Sequence, residues 1–473
     1  MGDSDVENES LEQKCAQSTT FHGLSSIADK SKPTWLRIAW ILAVATCMGV
    51  CIWQICLRFE ALYDINTIVS SVYPNELEFP AVTICNFNRY RTSQIRPEDL
   101  PFIRYTQFAV ENYDLDLESW HDYPDYNTTF NFTEFTNRAG FILDDDTLLD
   151  CNWRGKECFA ENFTHVFTSY GNCWTFNSGK DNRGNELPIL TEELPGSKNG
   201  LNVIINIQQL EYSESFAGNI QAGLKVLVHD QADPPHMDSL GSAVPPGFYG
   251  FIGIRKKTFI NLEPPWGTCN RSKTLQYYNK YTLSGCFIEC SLTHIISICQ
   301  CKPLRYPGTA EVCTPHVEET CVRDVLSQLS SGSLGICSCP IPCNYTEFAT
   351  SISYGAIPNQ SVADWFGLLF NITDEFQRLN YVAIDVYYEE LHLQTFNENK
   401  AMTVSSLISD IGGNVGLFLG GSILTFAEII DYVLLKCGFS RAEKKRGLSG
   451  KKECANPEKE QHQGHVHYSM KPL

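Results

Sequence analysis

The chain has 473 residues, of which 43% are hydrophobic and 20 are cysteines, and its formal net charge at pH 7 is −19. This length allows two or three domains with a sizeable apolar core, whereas the cysteine content is too high for a typical cytosolic enzyme. The acidic balance excludes nucleic-acid binding by the body of the protein. The sequence contains no nucleophile elbow, phosphate loop or metal motif, so we expect no enzyme activity, no cofactor and no metal site.

The first predicted element is a transmembrane helix over residues 38–57, preceded by a cytoplasmic segment, residues 1–37. The apolar run contains twenty residues without a charge, which is enough to cross a bilayer. It begins too far along the chain to be a signal peptide. Lys30, Lys32 and Arg37 lie on its N-terminal side, and positively charged flanks of this kind are typically cytoplasmic.

The following region, residues 58–400, has the features of an extracellular domain. It holds fourteen cysteines between Cys85 and Cys343, and an even, clustered set indicates disulfides formed in an oxidising compartment. Zinc binding by the Cys-x-Cys pairs is the alternative, and the lack of histidines at ligand spacing argues against it. Seven Asn-x-Ser/Thr sequons predict glycosylation at Asn127, Asn131, Asn162, Asn270, Asn344, Asn359 and Asn371.

Short runs of high β-propensity dominate this region, which predicts an α+β domain rich in strands. The predicted strands are Glu78–Ile84, Leu201–Ile207, Leu224–His229, Phe248–Ile254 and Tyr381–Tyr388. One helix is predicted over Glu318–Leu329, in a stretch bracketed by cysteines. The fold class is therefore an α+β membrane protein with a large, disulfide-rich extracellular domain.

A second predicted span covers residues 401–436 and is followed by a basic tail, residues 437–473, so both termini are placed in the cytoplasm. Polar groups inside a span usually face a bundle interior or a water path. We therefore predict an oligomer, because two helices cannot enclose an aqueous pore, and a polar helix interface without conduction is the alternative. A single helix over residues 410–428 collects its polar side chains on one face, and the predicted pore-lining residues are Asp410, Asn414, Thr425, Glu428 and, one turn further, Asp431.

Six ordered motifs give the sequence a resemblance to a known family. They are His22-Gly23, Phe79–Asn86, Pro264–Cys269, Cys286–Cys290, Cys299–Cys301 and Asp410–Ser422. In this order they resemble the degenerin/epithelial sodium channel superfamily, and most closely its acid-sensing and peptide-gated branch. The resemblance covers roughly residues 21–436. It implies an amiloride-sensitive sodium channel of the plasma membrane, a trimer with two transmembrane helices per subunit and a hand-like extracellular domain.

The pairing of the cysteines follows only from this resemblance, since the sequence alone leaves it open. The resemblance implies seven disulfides: Cys85–Cys173, Cys151–Cys158, Cys269–Cys343, Cys286–Cys339, Cys290–Cys337, Cys299–Cys321 and Cys301–Cys313. The last five would form a nested ladder along a thumb-like element.

The same resemblance assigns pore and gating residues. Gly420, Gly421 and Ser422 match the Gly-Ala-Ser selectivity belt, where a broken helix turns backbone carbonyls toward the ion, and Gly421 replaces the alanine. Gly416 matches a pore-lining position linked to amiloride block, and Ser406 matches a position where a bulky side chain holds degenerins open. The remaining implied gating residues are the His22-Gly23 pair, the aromatic pair Tyr63 and Trp266, and the linker residues Leu391 and His392.

The sequence leaves the stimulus open. In the acid-sensing branch a histidine follows the tyrosine that matches Tyr63, whereas here Asp64 does. Arg323 and Ser327 stand where that branch has thumb carboxylates. Asp385 and Glu389 remain as candidate proton- or ligand-sensing groups, although each alone is more simply a solvated strand carboxylate. We favour gating by a peptide or other extracellular ligand, with proton gating and a constitutive leak as alternatives.

The expected partners are sodium ions, the lipid bilayer, the extracellular stimulus and two further subunits, which are either copies of this chain or sister subunits. A non-conducting receptor or adhesion protein with two spans is the alternative from another functional class. The polar face of the second span and the lack of repeated adhesion sequences argue against it.

Overall fold

The computed structural model describes residues 19, 21–99, 102–103, 130–213 and 220–434. The chain divides into two units, termed here the helical unit (residues 1–64 and 400–473) and the disulfide-rich unit (residues 65–399). The predicted sequon at Asn127 and the predicted basic tail, residues 437–473, lie outside the described residues.

The described part of the helical unit is built from helices, numbered along the whole chain. They are α1 (Leu24–Ala28), α2 (Thr34–Ala61), α9 (Val404–Leu419) and α10 (Ile423–Leu434). Among the described residues, α2 is the one helix that is long and apolar enough to cross a membrane by itself. It exceeds the predicted span over residues 38–57 at both ends, because the helix continues into the more polar flanks of the apolar run. Its side chains are largely exposed within the chain, so they require an apolar surrounding.

The second apolar segment is a broken pair of helices, since the axes of α9 and α10 are bent by 73°. Gly420 has a φ of 68°, in the left-handed region, and this ends α9. The prediction of one continuous helix over residues 410–428 is therefore wrong, and the polar face derived from it does not extend beyond Leu419. The segment suffices for a second membrane crossing only if the bent pair counts as one span.

The disulfide-rich unit is built mainly from strands, most of them antiparallel. Its strands within the described residues are β1 (Ile65–Val72), β2 (Leu77–Glu78), β3 (Ala81–Asn86), β4 (Leu148–Trp153), β5 (Lys156–Glu157), β6 (Phe163–Thr168), β7 (Gly171–Phe176), β8 (Thr191–Glu192), β9 (Leu201–Asn206), β10 (Leu224–His229), β11 (Ser242–Val244), β12 (Phe248–Ile260), β13 (Asn344–Ala356) and β14 (Tyr381–Lys400).

The largest sheet has the order β13-β12-β14-β9-β4-β5, and β1 also pairs with β14. Within it β12 and β14 run parallel. A five-stranded sheet has the order β11-β10-β3-β7-β6, and β2 pairs with β8. One hydrophobic cluster takes side chains from both large sheets, such as Ile84 of β3, Val203 of β9 and Ile384 of β14. This shared core fixes the position of β14, the strand that carries Asp385 and Glu389.

The predicted strand runs all contain strands, with different ends. The run Glu78–Ile84 is divided, because Pro80 has no N–H for a ladder and separates β2 from β3. β12 and β14 continue past their predicted ends to Ile260 and Lys400, and they pair with each other as far as Ile260 and Asn397. The second half of β14 is rich in Gln, Asn and Glu, whose low β-propensity hides it from a sequence-based prediction.

Short helices complete the disulfide-rich unit. They are α3 (Phe132–Ala139), α4 (Leu283–Cys299), α5 (Pro315–Val317), α6 (Arg323–Ser330), α7 (Gln360–Phe370) and α8 (Asp374–Asn380). α5 continues through a π-helical turn, Glu318–Val322, into α6. The predicted helix Glu318–Leu329 is thus part of a longer helical segment, which starts earlier because Thr314 caps it and Pro315 fits its first position.

Seven disulfides join the same cysteine pairs that the family resemblance implies. Five of them lie between Cys269 and Cys343, and three of these five connect α4 to the chain that follows it. This part has few strands, so the covalent links supply much of its order. The sequon asparagines within the described residues are all exposed, as glycosylation requires: Asn131, Asn162, Asn270, Asn344, Asn359 and Asn371.

Candidate pore and stimulus-sensing sites

The break between α9 and α10 consists of Gly420, Gly421 and Ser422. The Gly420 N–H donates to the carbonyl of Gly416 at 3.0 Å, which closes α9. Ser422 starts α10, because its N–H donates to the Thr425 hydroxyl at 2.9 Å and its own hydroxyl accepts the Thr425 N–H at 3.4 Å. A helix break of this kind frees backbone carbonyls, and these are groups with which cation filters bind ions.

The His22-Gly23 pair packs against this break. The His22 N–H donates to the carbonyl of Leu419 at 2.9 Å. A Cβ on Gly420 would lie 2.5 Å from Cγ of the His22 ring, so Gly420 is required both for its φ and for this contact. Gly23 has a φ of 83°, and its Cβ would lie 2.6 Å from the Val44 side chain of α2. The structure thus brings His22, Gly23 and Gly420 together from distant parts of the sequence.

The predicted pore residues are divided between the two halves of the broken pair. Asp410, Asn414 and Gly416 lie on α9. Thr425, Glu428 and Asp431 lie on α10. Thr425 is only 2% exposed and caps α10 through Ser422, which differs from the open, water-facing position predicted for it. Glu428 and Asp431 are exposed, and Glu428 accepts a hydrogen bond from Thr19 at 3.4 Å.

Asp410 has a partner that the sequence analysis missed. Arg58 Nε, in the last turn of α2, lies 3.5 Å from Asp410 Oδ2. In the sequence Arg58 follows the predicted span directly and reads as an ordinary flanking charge. One signal could have identified this partner. Asp410 is the one ionisable side chain of α9, and a lone charge in an apolar helix usually pairs with an opposite charge nearby.

Three further implied gating residues, Ser406, Tyr63 and Trp266, are separate in the sequence and do not all lie in the same unit. Ser406 is exposed in the first turn of α9, where its N–H donates to the hydroxyl of the cap residue Thr403 at 3.1 Å. Tyr63 is 58% exposed in the helical unit, and Trp266 is half-buried in the disulfide-rich unit. The pairing of Tyr63 with Trp266 stays a prediction.

Asp385 is fully buried on β14, so the expectation of a solvated carboxylate is wrong for this residue. Its Oδ2 accepts hydrogen bonds from the Ser197 hydroxyl at 2.5 Å and from the Lys198 N–H at 3.0 Å. Its Oδ1 is buried and has no donor among the described residues. Burial raises the pKa of Asp385, and the bonds from Ser197 and Lys198 oppose that shift only in part. This carboxyl therefore takes up a proton at a higher pH than an ordinary aspartate.

Glu389, on the same strand, has the opposite environment. It accepts hydrogen bonds from the Ser351 hydroxyl and from Arg255 Nε, the latter at 2.5 Å. These two donors, the Ser351 hydroxyl first, hold the pKa of Glu389 below its usual value. A Cβ on Gly253 would lie 2.5 Å from this carboxylate, so the absence of a side chain there makes room for it. Glu389 stays ionised to a lower pH than an ordinary glutamate.

Leu391 and His392 lie where the pairing of β14 with β12 is irregular. Ile254 pairs with Tyr388 and Lys256 with Leu393, so residues 389–392 stand opposite a single residue of β12. The His392 ring stacks on Tyr73 with centroids 4.8 Å apart, and its buried Nε2 has no partner among the described residues. Since the ladder is interrupted at this bulge, the strand can change its local conformation here without breaking regular pairs.

Two positions of the thumb-like segment carry no carboxyl where the acid-sensing branch has one. Arg323 is exposed and forms an ion pair with Glu319, one turn earlier in the same helical segment. Ser327 is exposed and uncharged. Neither residue adds a titratable carboxyl to the surface, in agreement with the sequence analysis.

A cavity of about 610 Å³ lies beside β6 and the segments that flank α4, and the sequence analysis missed it. Burial raises the pKa of Asp233 in its wall, and burial together with the charge of Glu289 raises the pKa of Tyr278 to about 12. Arg305 is held there by an ion pair with Glu318. Aromatic surface with charges of both signs suits an amphipathic ligand. The lining includes His229, Asp233, Tyr277, Tyr278, Lys280 and Arg305, which come from three separate stretches of sequence.

Comparison with known proteins gives a consistent result. Residues 15–432 match the family described as amiloride-sensitive sodium channel. Acid-sensing ion channel 1C of Danio rerio is 35% identical over 461 residues, which cover 91% of this chain and 85% of that protein. Acid-sensing ion channel 2 of Homo sapiens is 33% identical, covering 93% and 88%. The bile acid-sensitive ion channel of Mus musculus is 31% identical, covering 91% and 88%.

Proposed function

This chain belongs to the amiloride-sensitive sodium channel family, whose members are ion channels and not enzymes, and we propose that it forms a trimeric sodium channel opened by an extracellular stimulus. Channels of the family conduct sodium and assemble as trimers. In the proposed arrangement residues 38–57 and 401–436 cross the plasma membrane, with the intervening region extracellular and both termini cytoplasmic. The family membership confirms the resemblance of the motifs.

The observation that carries the pore assignment is the break at Gly420–Ser422 with His22 packed against it. A continuous helix would keep its carbonyls in internal hydrogen bonds, whereas the break leaves carbonyls available to replace water around an ion. His22 fixes the end of α9 through Leu419, so the filter geometry depends on the N-terminal segment. Three such breaks around an axis would form the narrow belt, with Gly416 one turn away as the amiloride position.

Assembly of three chains is supported by the surface of the helical unit. Trp53 of α2 and Leu417 of α9 are 62% and 75% exposed within one chain. Gly412 and Gly413 have nothing within 4 Å of an added Cβ, so this face of α9 is open in a single chain. Small residues at such a face allow neighbouring helices to approach closely. Lipid and neighbouring subunits together would cover these surfaces.

Gating by an extracellular ligand is supported by the cavity beside α4. Its size is in the range of ordinary small-molecule sites, and its tyrosines and charged groups converge on one space. The bile acid-sensitive relative shows by its name that a channel similar to this chain responds to an organic amphiphile. We infer a ligand that has an apolar body and at least one charged group.

Gating by protons is the second candidate, and it is supported to the same degree by two carboxyls, the buried Asp385 and the half-buried Asp233. The pKa of Asp385 and the pKa of Asp233 are both raised by burial, so both titrate closer to neutrality than the sequence suggested. The acid-sensing relatives respond to acid by name. Protonation of Asp385 would also remove the free-energy cost of burying this carboxyl as an anion.

Recording from cells that express this chain alone tests the proposal. Inward sodium currents that are blocked by amiloride are expected after either an acid step to about pH 5 or a set of amphipathic carboxylates and cationic peptides. Tyr278→Ala should abolish a ligand response and spare an acid response, whereas Asp385→Asn should shift the pH dependence of an acid response and spare a ligand response. Normal surface expression without current under any of these stimuli would contradict a homomeric channel.

A further inference from the structure

A pair of opposite charges in the helical unit carries an inference that rests on the proposed pore role of Asp410. Arg58 Nε and Asp410 Oδ2 are 3.5 Å apart, and the two side chains are 49% and 37% exposed. Arg58 belongs to the last turn of α2 and Asp410 to α9. The contact therefore joins the two membrane segments of one chain at the end where they lead into the disulfide-rich unit.

A carboxylate at this position acts on ions through its charge. Rings of acidic side chains at the mouth of a cation pore raise the local cation concentration and bind divalent ions. A trimer would present three copies of Asp410. A guanidinium 3.5 Å from each carboxylate holds it at α2, and a carboxylate held farther from the ion path attracts a passing cation less strongly.

Two properties of Arg58 favour formation of the ion pair with Asp410. An arginine side chain carries a permanent positive charge and several N–H donors, so it is a strong partner for the Asp410 carboxylate. Its place in the last turn of α2 is favourable too, since the partial negative charge of a helix C-terminus attracts a cation. The pair is nevertheless exposed enough to open, because ion pairs of this kind have little net stability.

We propose that Arg58 is a positioning residue that draws the Asp410 carboxylate toward its own α2 and so limits cation attraction at the pore mouth. Release of the carboxylate raises the local concentration of sodium and the affinity for calcium in the mouth. The ion pair thus sets unitary conductance and calcium block through Asp410, and Arg58 itself contacts no ion.

Patch-clamp recording of unitary sodium currents at several external calcium concentrations tests this role. Arg58→Gln is expected to lower the half-blocking calcium concentration by about fivefold, the factor by which a released carboxylate about 8 Å from a divalent ion strengthens its binding in bulk-water dielectric. Unitary inward current in calcium-free, low-salt solution should rise as well. Arg58→Lys keeps the charge and should resemble the wild type. Glu60→Gln, an exposed charge on the same turn of α2, is the matched control and should change neither quantity.

A double-mutant cycle with Asp410→Asn separates the proposal from its alternatives. Arg58→Gln should have no further effect on calcium block once Asp410 is neutral. An equal effect in both backgrounds would show that Arg58 acts on ions directly and would overturn the proposal, as would an unchanged block in Arg58→Gln alone. Openings are evoked by a step to about pH 5 or taken from a Ser406→Trp background, and surface biotinylation confirms expression. Absence of current from all variants at normal surface levels would instead overturn the proposed channel function.

Discussion

The two units of the chain bury their apolar side chains in different ways. In the disulfide-rich unit, strand residues such as Val203, Ile205 and Val382 are fully buried by other parts of the same chain. In the described part of the helical unit, Cys51 and Leu407 are among few buried apolar residues, and most of the others face outward. The disulfide-rich unit therefore contains its own core, while most apolar side chains of the helical unit are left exposed within one chain, as the proposed membrane-spanning assembly requires.

This difference predicts where a substitution acts. A change in the core or the disulfides of the first unit lowers the free energy of unfolding and reduces the amount of folded protein. A change in the helical unit leaves the fold of the other unit intact and alters the contacts that open and close the pore. Substitutions in the two units should therefore differ in phenotype, and the largest effect is expected in the disulfide-rich unit.

Removing one disulfide of the ladder should have the largest effect. Cys290→Ser breaks the link to Cys337, and loss of a native disulfide typically costs about 2–5 kcal/mol. We expect a strong decrease in surface protein, measured by biotinylation. Cys51→Ser, which changes a buried free cysteine of α2, is the control and should leave the surface level near that of the wild type. A normal surface level of Cys290→Ser would contradict the structural role of the ladder.

Gly420→Ala should abolish most of the current at normal surface expression. Alanine at a φ of 68° costs about 1–2 kcal/mol, and its Cβ would also collide with the His22 ring. We expect at least a tenfold lower whole-cell current, about what this strain implies for the population of the conducting state. Gly49→Ala in α2, with open space around it, should change the current little. Equal behaviour of the two variants would mean that the break does not form the filter.

Ser406→Trp should produce a standing current. The exposed side chain lies in the first turn of α9, and a large indole there would collide with neighbouring helices of the closed trimer. Destabilising the closed state gives an amiloride-sensitive leak without any stimulus. Ser405→Trp places the same group about 100° around the helix and should leave the channel closed at rest. A leak from Ser405→Trp alone would place the helix contacts on another face.

The smallest effect is expected from the two carboxyls of β14. Because the pKa of Asp385 is raised, its protonated form contributes stability at low pH, and this contribution is lost as the pH rises through that pKa. Asp385→Asn imitates the protonated form and should shift the half-effective pH of an acid response upward by roughly half a unit or more.

Glu389 provides the matched control for this pH effect. The pKa of Glu389 is lowered, so its ionised form contributes stability above the ordinary value, and that contribution is lost only as the pH falls through the lowered pKa. Glu389→Gln should therefore leave the half-effective pH unchanged above about pH 4.5. A larger shift in Glu389→Gln than in Asp385→Asn would reverse the roles assigned to the two residues.

Much of the fold could be predicted because its signals are local. The apolar run of residues 38–57 and the alternation along Leu201–Ile207 depend only on neighbouring residues, and the structure has a helix and a strand there. The second half of β14 was not predicted, because its polar residues are extended only through pairing with β12. The helical wheel treated residues 410–428 as one continuous helix, since it contains no information about the left-handed Gly420, whereas the family resemblance implied a break at Gly420–Ser422.

The sequence by itself determined the class of protein. The motifs identify the family, and the apolar and cysteine-rich stretches mark the helical unit and the disulfide-rich unit. Tertiary structure alone decided the environment of the functional groups. Ser197 and Lys198 donate hydrogen bonds to Asp385 although nearly two hundred residues separate them from it in the sequence. Arg58 lies 3.5 Å from Asp410 although the sequence of the whole disulfide-rich unit comes between them. The physical reason is that charge, pKa and access depend on distances of a few ångströms in space, and residues that close come from any separation along the chain.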